Sequence, residues 1–226
     1  MELKVIAHVK TDFPAKFGIP RQSGLADTKG EIIFEKEYAN QDAFKGIEEY
    51  SHLWILWGFS ECEKKRWKPT VRPPRLGGNE RRGVFATRSP FRPNPIGLSC
   101  VKLEQIEYEK NAEVILKISG TDMMDGTPIY DIKPYLPYVD AKADAKGGFA
   151  EEKKNDYLEV EIPDEWMSKL SDEQAKVLKQ VLSQDPRPSY QDDPERIYGM
   201  EYADFDIRFK VCDKRLIVCQ ICDRAK

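Results

Sequence analysis

Histidine and cysteine are scarce in this chain, which limits the metal and disulfide chemistry that it can support. Two histidines and five cysteines occur among the 226 residues: His8, His52, Cys62, Cys100, Cys212, Cys219 and Cys222. An odd number of cysteines without a secretion signal argues against a disulfide framework. The Cys219-x-x-Cys222 pair lacks a second pair at zinc-site spacing, and a short buried strand in which cysteine is a small apolar residue explains it as well. We expect no bound metal.

Long apolar runs and targeting signals are also missing. The first ten residues, MELKVIAHVK, contain neither a long apolar stretch nor a cleavage-site pattern. The longest apolar runs, such as Leu53–Phe59, are far shorter than the roughly 20 residues that a membrane-spanning helix needs. We therefore expect a soluble, cytoplasmic protein with no membrane segment.

A nucleotide-binding loop of the G-x-G-x-x-G type after a strand is absent, and strands do not alternate regularly with helices, which disfavours a Rossmann fold. Instead, runs rich in β-branched and aromatic residues, bounded by Gly, Pro, Asn or Asp, predict strands. They are Leu3–Val9, Glu31–Glu35, Leu53–Phe59, Gly83–Thr87, Val101–Tyr108 and Val114–Gly120. A short helix is predicted at Asn40–Phe44. The N-terminal part is therefore expected to be mainly β.

The composition changes between Asp140 and Asp156, where small and charged residues replace the apolar alternation. This change predicts a linker and two domains, residues 1–145 and 146–226. In the second domain, Ser171 and Gln174 form a capping-box pattern before an apolar stripe, which predicts a helix over residues 172–183. Two strand-like runs, over residues 203–211 and 215–222, predict a hairpin. We expect a small α+β C-terminal domain.

The most unusual stretch is residues 81–99, RRGVFATRSPFRPNPIGLS, with four arginines and three prolines. Each proline fixes its own backbone torsion and holds the preceding residue extended. Arginine binds planar anions with a fork of donors, and a stiff backbone reduces the entropy cost of binding. The stretch therefore predicts a ligand site.

Basic residues extend upstream of this stretch. Residues 64–92 hold ten lysines and arginines against one acid, Glu80, so their net charge is +9 in a chain whose total is −3. Such segregation of charge is typical of a nucleic-acid site. The alternative is a solvated loop whose charges pair with acids elsewhere.

The chain resembles the TsaA-like family of S-adenosylmethionine-dependent methyltransferases, on motifs spread over most of its length. The matching segments are Pro20–Leu25, SHLWIL (51–56), WKPTVRPPRLGGN (67–79), residues 83–99, DGTPIYDIKPYLP (125–137) and DPRPSY (185–190). These bacterial enzymes methylate the 6-amino nitrogen of threonylcarbamoyladenosine at tRNA position 37. The resemblance implies a β-barrel catalytic domain of non-Rossmann type, a homodimer, and a C-terminal extension.

The resemblance also implies a set of S-adenosylmethionine contacts. They are Pro20, Arg21, Gln22, Ser60, Glu61, Arg88, Leu98, Asp125, Gly126, Thr127 and Pro128. Family members often have His-Gln where this chain has Ser60-Glu61. At this position the resemblance therefore implies cofactor contacts through the backbone and not through the side chains. Asp125-Gly126 predicts a tight turn in which glycine lets the backbone approach a ligand and the carboxylate opposes its positive charge. As an isolated motif the dipeptide would be an ordinary hairpin turn.

The implied reaction is a direct in-line methyl transfer without a metal or a covalent enzyme intermediate. Because the lone pair of the acceptor nitrogen is delocalised, proton removal or electrostatic help must accompany attack. Catalytic roles are predicted for Arg88, Arg92, Asp125 and Tyr130. The base itself stays open among Asp122, Asp125, Tyr130, Asp131 and the carboxylate of the substrate.

Substrate contacts are expected in the basic region. They are Trp67, Arg72, Arg75, Phe91 and Arg92. Arg75 and Arg92 are candidate partners for the threonyl carboxylate, which would select the modified adenosine. Trp67 and Phe91 are candidates for stacking on an anticodon-loop base, although Phe91 could equally be a core residue.

Two other classes of function stay open at this stage. A non-catalytic RNA-binding module would keep the basic region but would need no cofactor turn. A methyltransferase acting on a protein or a small molecule would keep the turn but would not require tRNA.

Overall fold

A closed antiparallel barrel forms the N-terminal part of the computed structural model. The structure describes residues 2–62, 66–73, 76, 80–109, 114–152, 156–187 and 193–224. The strands are β1 (Ala7–Thr11), β2 (Lys29–Phe34), β3 (His52–Gly58), β4 (Thr70–Val71), β5 (Arg82–Gly83), β6 (Ile96–Tyr108), β7 (Val114–Ser119), β8 (Pro128–Pro134), β9 (Glu159–Glu161), β10 (Tyr198–Tyr202), β11 (Phe205–Cys212) and β12 (Arg215–Asp223). The helices are α1 (Pro137–Asp140), α2 (Phe149–Glu152), α3 (Asp164–Met167) and α4 (Asp172–Ser183).

The barrel has the strand order β1-β2-β7-β6-β3-β8, and its strands alternate between core and surface. In β3, Leu53, Ile55 and Trp57 are buried, because alternate side chains of a strand point to the same face. They pack with buried residues of the other strands, including Ile32 and Leu116. The mainly β expectation and the predicted barrel are both confirmed.

The pairing of β1 with β8 is the shortest in the described part of the barrel. Only Ala7 with Ile129 and His8 with Pro128 are paired there, whereas β3 pairs with β6 along all of its seven residues. Two further backbone bonds support the seam, from the N–H of Ile6 to the carbonyl of Ile129 (2.8 Å) and from the N–H of Val9 to the carbonyl of Thr127 (3.0 Å).

A second sheet, in the order β10-β11-β12-β9, packs with α3 and α4 around a separate apolar core. The predicted α4 is confirmed with the predicted bounds. Its capping box is formed, with the Gln174 N–H donating to Ser171 Oγ (3.2 Å) and the Ser171 N–H donating to Gln174 Oε1 (3.0 Å). Val177, Leu178, Val181 and Leu182 form the buried stripe of α4.

The β1–β2 loop (residues 12–28) connects the two units. Phe13 and Ala26 of this loop belong to the C-terminal core and not to the barrel core. The backbone N–H of Ala203 donates to the carbonyl of Asp12 (2.8 Å), and Lys176 of α4 forms an ion pair with Asp27 (2.7 Å). These contacts hold the loop against the C-terminal unit.

Some predicted elements are wrong in kind or position. The strand predicted at Gly83–Thr87 is mostly a 3-10 turn, Val84–Ala86, because Thr87 closes it through its N–H and Oγ1 onto the Val84 carbonyl. The helix predicted at Asn40–Phe44 is a 3-10 turn, Gln41–Phe44, with Asn40 as its cap. The strands β4, β8, β9 and β10 had not been predicted.

Among the helices of the described residues, none combines the length and apolar character that a membrane crossing requires.

Candidate functional site

A pocket of about 500 Å³ opens where the β1–β2 loop meets the ends of β3 and β6 and the arginine-proline loop (residues 87–95). This volume lies within the roughly 300–1,000 Å³ typical of small-molecule sites. The lining includes these predicted site residues: Pro20, Arg21, Gln22, Ser60, Glu61, Arg88, Arg92, Leu98 and Thr127. Five separate stretches of the sequence therefore meet around one cavity.

Trp57 forms part of the pocket wall because Gly97 leaves room for its ring. The two residues are directly paired between β3 and β6, and a Cβ at Gly97 would overlap the Trp57 indole. The indole Nε1–H donates to Ser99 Oγ (2.9 Å), and Ser99 Oγ donates to Asp122 Oδ1 (2.5 Å). Trp57 and Ser99 are buried, so this chain of hydrogen bonds is shielded from solvent.

Asp122 lines the pocket at the end of this chain of hydrogen bonds. Burial raises the pKa of its carboxyl group, while the hydrogen bond from Ser99 and the positive charge of Arg88 act in the opposite direction. The backbone N–H of Ser23 also donates to this carboxylate. Asp122 is therefore a positioned carboxylate that burial makes more basic than an ordinary aspartate.

The cofactor residues predicted in the β1–β2 loop are placed by contacts on both sides. Arg88 Nη1 donates to Gln22 Oε1, which links this loop to the arginine-proline loop. Arg21 Nη2 donates to the backbone carbonyl of Asp185 in the C-terminal unit. Asp185 is in turn held by a bidentate pair with Arg187 (2.9 and 3.0 Å).

Glu61, at the predicted Ser60-Glu61 position, has a defined side-chain partner. Its Oε2 forms an ion pair with Lys16 Nζ at 2.8 Å, and both residues line the pocket. The pair joins the 3-10 turn Ser60–Cys62 to the β1–β2 loop. The sequence patterns had not indicated a role for Lys16.

The arginine-proline loop carries its own hydrogen bonds. Arg92 Nη1 donates to the carbonyls of Thr87 (3.0 Å) and Ser89 (3.2 Å), and the Phe91 N–H donates to Ser89 Oγ (3.3 Å). Because a guanidinium has five N–H donors, these two bonds leave other N–H groups of Arg92 available to a ligand. Arg92 lines the pocket and also helps to hold the loop in shape.

The predicted turn at Asp125–Pro128 contributes one lining residue, Thr127, while Asp125, Gly126 and Pro128 stand outside the lining. Gly126 has a φ of 74°, which favours glycine. The Asp125 carboxylate accepts a hydrogen bond from the Thr11 N–H (3.0 Å). Its visible role is therefore to fix the turn against β1.

Tyr130 also stands outside the lining. Its hydroxyl lies against Gly58, where a Cβ would overlap it, and Gly58 is itself a lining residue. Tyr130 therefore supports the pocket wall from behind.

Of the predicted substrate residues that the structure describes, Arg92 lines the pocket. Trp67, Arg72 and Phe91 stand outside the lining, in a basic arm formed by residues 66–73 and 80–92. The short strands β4 and β5 pair there, and the Lys68 N–H donates to the carbonyl of Phe91 (3.2 Å). Trp67 is 50% exposed and Arg72 is exposed, whereas Phe91 is half-buried. Arg75, Lys64 and Lys65 lie outside the described residues.

Potential metal ligands are dispersed over the fold. In the part of the chain that the structure describes, no three or more His, Cys, Asp or Glu side chains are grouped so that they could hold a metal ion. The polar side chains at the pocket are arginines, carboxylates and hydroxyls, together with Lys16 and Gln22.

Fold and pocket together define a class: a β-barrel protein with a polar pocket of small-molecule size at the barrel rim, beside a basic surface. Comparison with known proteins then identifies the family. Residues 8–141 match the model of the tRNA-methyltransferase O N-terminal domain, and residues 155–224 match that of the TrmO C-terminal domain. The chain belongs to the tRNA-methyltransferase O family.

Individual relatives agree with this assignment. The chain is 41% identical to the tRNA (adenine(37)-N6)-methyltransferase of Escherichia coli, over 94% of both chains. It is 40% identical to an S-adenosyl-L-methionine-binding protein of Archaeoglobus fulgidus, over 65% of this chain and 98% of that protein. The crystal structure of TrmO from P. aeruginosa matches with a TM-score of 0.79 and 33% identity, over 99% of this chain and 97% of that one.

Proposed function

We propose that this protein transfers the methyl group of S-adenosylmethionine to the 6-amino nitrogen of threonylcarbamoyladenosine at position 37 of tRNA. One observation carries the proposal: nine predicted site residues from distant parts of the sequence line one pocket, directly beside the basic arm. The family assignment and the activity named for the E. coli relative support the same reaction.

The residues of the pocket suit S-adenosylmethionine chemically. The ligand combines a purine, a carboxylate and two positively charged groups. Trp57, Ile96 and Leu98 offer apolar contact area, and Arg88 offers a guanidinium for the carboxylate. Glu61 offers negative charge opposite one of the positively charged groups of the cofactor. When bound, the cofactor supplies an electrophilic methyl group on a positively charged sulfur.

The chain's own contribution is mainly positioning. Pro20, Arg21 and Gln22 are proposed to hold one side of the cofactor, and the turn containing Asp125 and Thr127 the other. Arg88 of the basic arm lines the pocket and donates to Gln22, which supports its proposed catalytic role. The proposed role of Tyr130 is to support this wall at Gly58.

The basic arm is proposed to hold the anticodon loop. Trp67 and Arg72 are exposed there, so an aromatic face and a guanidinium are both accessible to an extruded base and its phosphate. Arg92 bridges the arm and the pocket and is proposed to bind the threonyl carboxylate together with Arg75, and Phe91 to contact the base. This arrangement would select the modified adenosine over adenosine.

Residues 1–145 are proposed as the catalytic domain, and residues 146–226 as a tRNA-contacting extension. The contacts of Asp185 with Arg21 and of Lys176 with Asp27 support a second role for the extension, which is to hold the β1–β2 loop. Cytoplasmic location is proposed from the same reaction, because its tRNA substrate is there.

A homodimer is proposed from the outer face of β3 and β6. Leu98 is 51% exposed on this face, and the neighbouring helix α1 exposes Tyr138 (84%) and Val139 (45%). The indole of Trp54 on β3 donates to Asp140 (2.9 Å), which places α1 beside this face. Sedimentation of the native protein and of Tyr138→Glu tests the dimer, since a charge there should favour the monomer.

The reaction is tested by incubating the purified protein with S-adenosylmethionine and tRNA, followed by mass spectrometry of the nucleosides. We expect a mass gain of one methyl group on threonylcarbamoyladenosine and none on tRNA that lacks this modification. Calorimetry with S-adenosylhomocysteine provides the second measurement. Cofactor binding without tRNA methylation would point to a different acceptor, and RNA binding without cofactor binding would point to a non-catalytic module.

A further inference from the structure

We propose that Asp122 is the general base that removes the proton from the 6-amino nitrogen during methyl transfer, an assignment that rests on the proposed function. The family motifs had left the base open among several titratable residues. The structure separates these candidates by position, by hydrogen-bond partners and by burial.

The other candidate side chains are engaged away from the cavity. Asp125 accepts from the Thr11 N–H, and Asp131 accepts from the Ile132 N–H through Oδ1 and pairs with Lys133 through Oδ2 (2.8 Å). The hydroxyl of Tyr130 lies behind Gly58. Of the four, only Asp122 lines the pocket.

The hydrogen-bond chain behind Asp122 has a fixed direction. An indole Nε1–H can only donate, so Ser99 Oγ must accept from Trp57 and directs its own proton to Asp122. The carboxylate therefore serves as the acceptor at the end of this chain. Because the Trp57 end cannot give up or pass on a proton, the chain orients Asp122 and cannot reprotonate it.

Electrostatics favour a base at this position. Burial raises the pKa of Asp122, which makes its carboxylate a stronger proton acceptor than that of an exposed aspartate. Five other charged side chains line the same pocket: Lys16, Arg21, Glu61, Arg88 and Arg92. Of these, Arg88 acts on Asp122 directly and favours its ionised form.

The proposed step balances as follows. The lone pair of the 6-amino nitrogen forms a bond to the methyl carbon, and the bond from this carbon to sulfur breaks with its electrons left on sulfur. The N–H proton moves to a carboxylate oxygen of Asp122. The products are the N-methylated nucleoside, neutral S-adenosylhomocysteine and protonated Asp122, which loses its proton to water once the product has left.

The test compares Asp122→Asn with the native protein in steady-state methylation of threonylcarbamoyladenosine-containing tRNA. We expect kcat to fall by about 100-fold or more, the usual contribution of a general base, with S-adenosylhomocysteine affinity and tRNA affinity retained. The acid limb of the kcat against pH profile should disappear. Asp42→Asn, at an exposed surface ion pair, is the matched control and should keep native kcat.

A second variant, Ser99→Ala, covers the case in which Asp122→Asn does not fold. Loss of the hydrogen bond to the carboxylate should raise the pKa of Asp122 further, which moves the acid limb to higher pH while kcat recovers on the alkaline side. A profile that does not move in Ser99→Ala would overturn the assignment.

Two results with Asp122→Asn would also overturn it: a kcat within about tenfold of native, or loss of S-adenosylhomocysteine binding, which would make Asp122 a cofactor ligand. Failure of the proposed function is a separate result, because the native protein would then not methylate the modified tRNA at all.

Discussion

The ring of Phe13 lies 5.5 Å from that of Tyr202, centroid to centroid, so a residue of the barrel's β1–β2 loop is buried in the core of the C-terminal unit. The same loop brings Pro20, Arg21 and Gln22 to the pocket. Packing in one unit therefore determines where the predicted cofactor residues of the other unit lie.

Phe13→Ala is expected to affect both stability and binding. Removing a fully buried aromatic ring costs about 3–5 kcal/mol of unfolding free energy, and the freed loop should also weaken S-adenosylhomocysteine binding. Urea denaturation and calorimetry measure the two effects. Phe85→Ala, at a ring that is 74% exposed, should change stability by less than about 0.5 kcal/mol. Native cofactor affinity in a destabilised Phe13→Ala protein would show that the loop is placed without this packing.

Gly97→Ala should displace the Trp57 ring. The added Cβ would overlap the indole, and overpacking of this kind typically costs about 1–3 kcal/mol. The displaced ring can no longer direct Ser99 towards Asp122, so we expect a changed tryptophan fluorescence spectrum together with a lower kcat. The matched control is Gly83→Ala, where no atom lies within 4 Å of the new Cβ. An unchanged spectrum in Gly97→Ala would contradict the packing described.

Asp122 should make the native protein less stable as the pH rises. Its pKa is raised in the folded state, so the folded protein holds this proton more tightly than the unfolded chain, where an aspartate has a pKa of about 3.9. The contribution of Asp122 to the free energy of unfolding is fully present below the pKa of the unfolded chain and is lost as the pH rises through the folded-state pKa. Asp122→Asn should therefore gain stability relative to native over this interval, measured by urea denaturation between about pH 4 and 8. A difference that does not vary with pH would exclude this linkage.

Arg72→Ala should weaken tRNA binding with little dependence on nucleotide sequence. Removing one interaction with a phosphate lowers the slope of log K against log salt concentration by about 1, so titrations at several salt concentrations report on Arg72 directly. Lys36→Ala, an exposed cation after β2 and outside the basic arm, removes the same charge and should leave the slope unchanged. Equal slopes in the two variants would place the tRNA elsewhere.

Local sequence signals predicted the elements whose determinants are local. The helix α4 was predicted with its bounds because Ser171, Gln174 and the apolar stripe all act within one short segment. The strand β8 was missed, since its first and last residues are prolines and polar side chains interrupt its apolar alternation. Its place in the barrel depends on pairing with the distant strand β3. The 3-10 turn at Val84–Ala86 was mistaken for a strand because β-branched and aromatic residues also occur in turns that a threonine closes.

At the pocket, too, local motifs could be recognised from the sequence, whereas contacts between distant segments could not. Motif resemblance named eight of the residues that line the pocket, because each short segment carries a recognisable sequence, and the charge pattern of the basic region added Arg92. It did not reveal the connection of Trp57 through Ser99 to Asp122, which depends on the register between β3 and β6 and on where the chain returns after β7. Nor did it indicate that Lys16 would face Glu61, since that ion pair joins two loops that are distant in sequence.

The short seam between β1 and β8 gives the barrel a preferred place to open. Few backbone bonds cross it, and one of them ends on the carbonyl of Thr127, a pocket residue. Transient separation there would expose the amides of Ile6 and Val9 to deuterium from the solvent sooner than those inside the longer ladders. A cofactor that contacts both strands at the rim would suppress this opening. Binding in the pocket should therefore slow deuterium uptake by the backbone amides along the seam between β1 and β8.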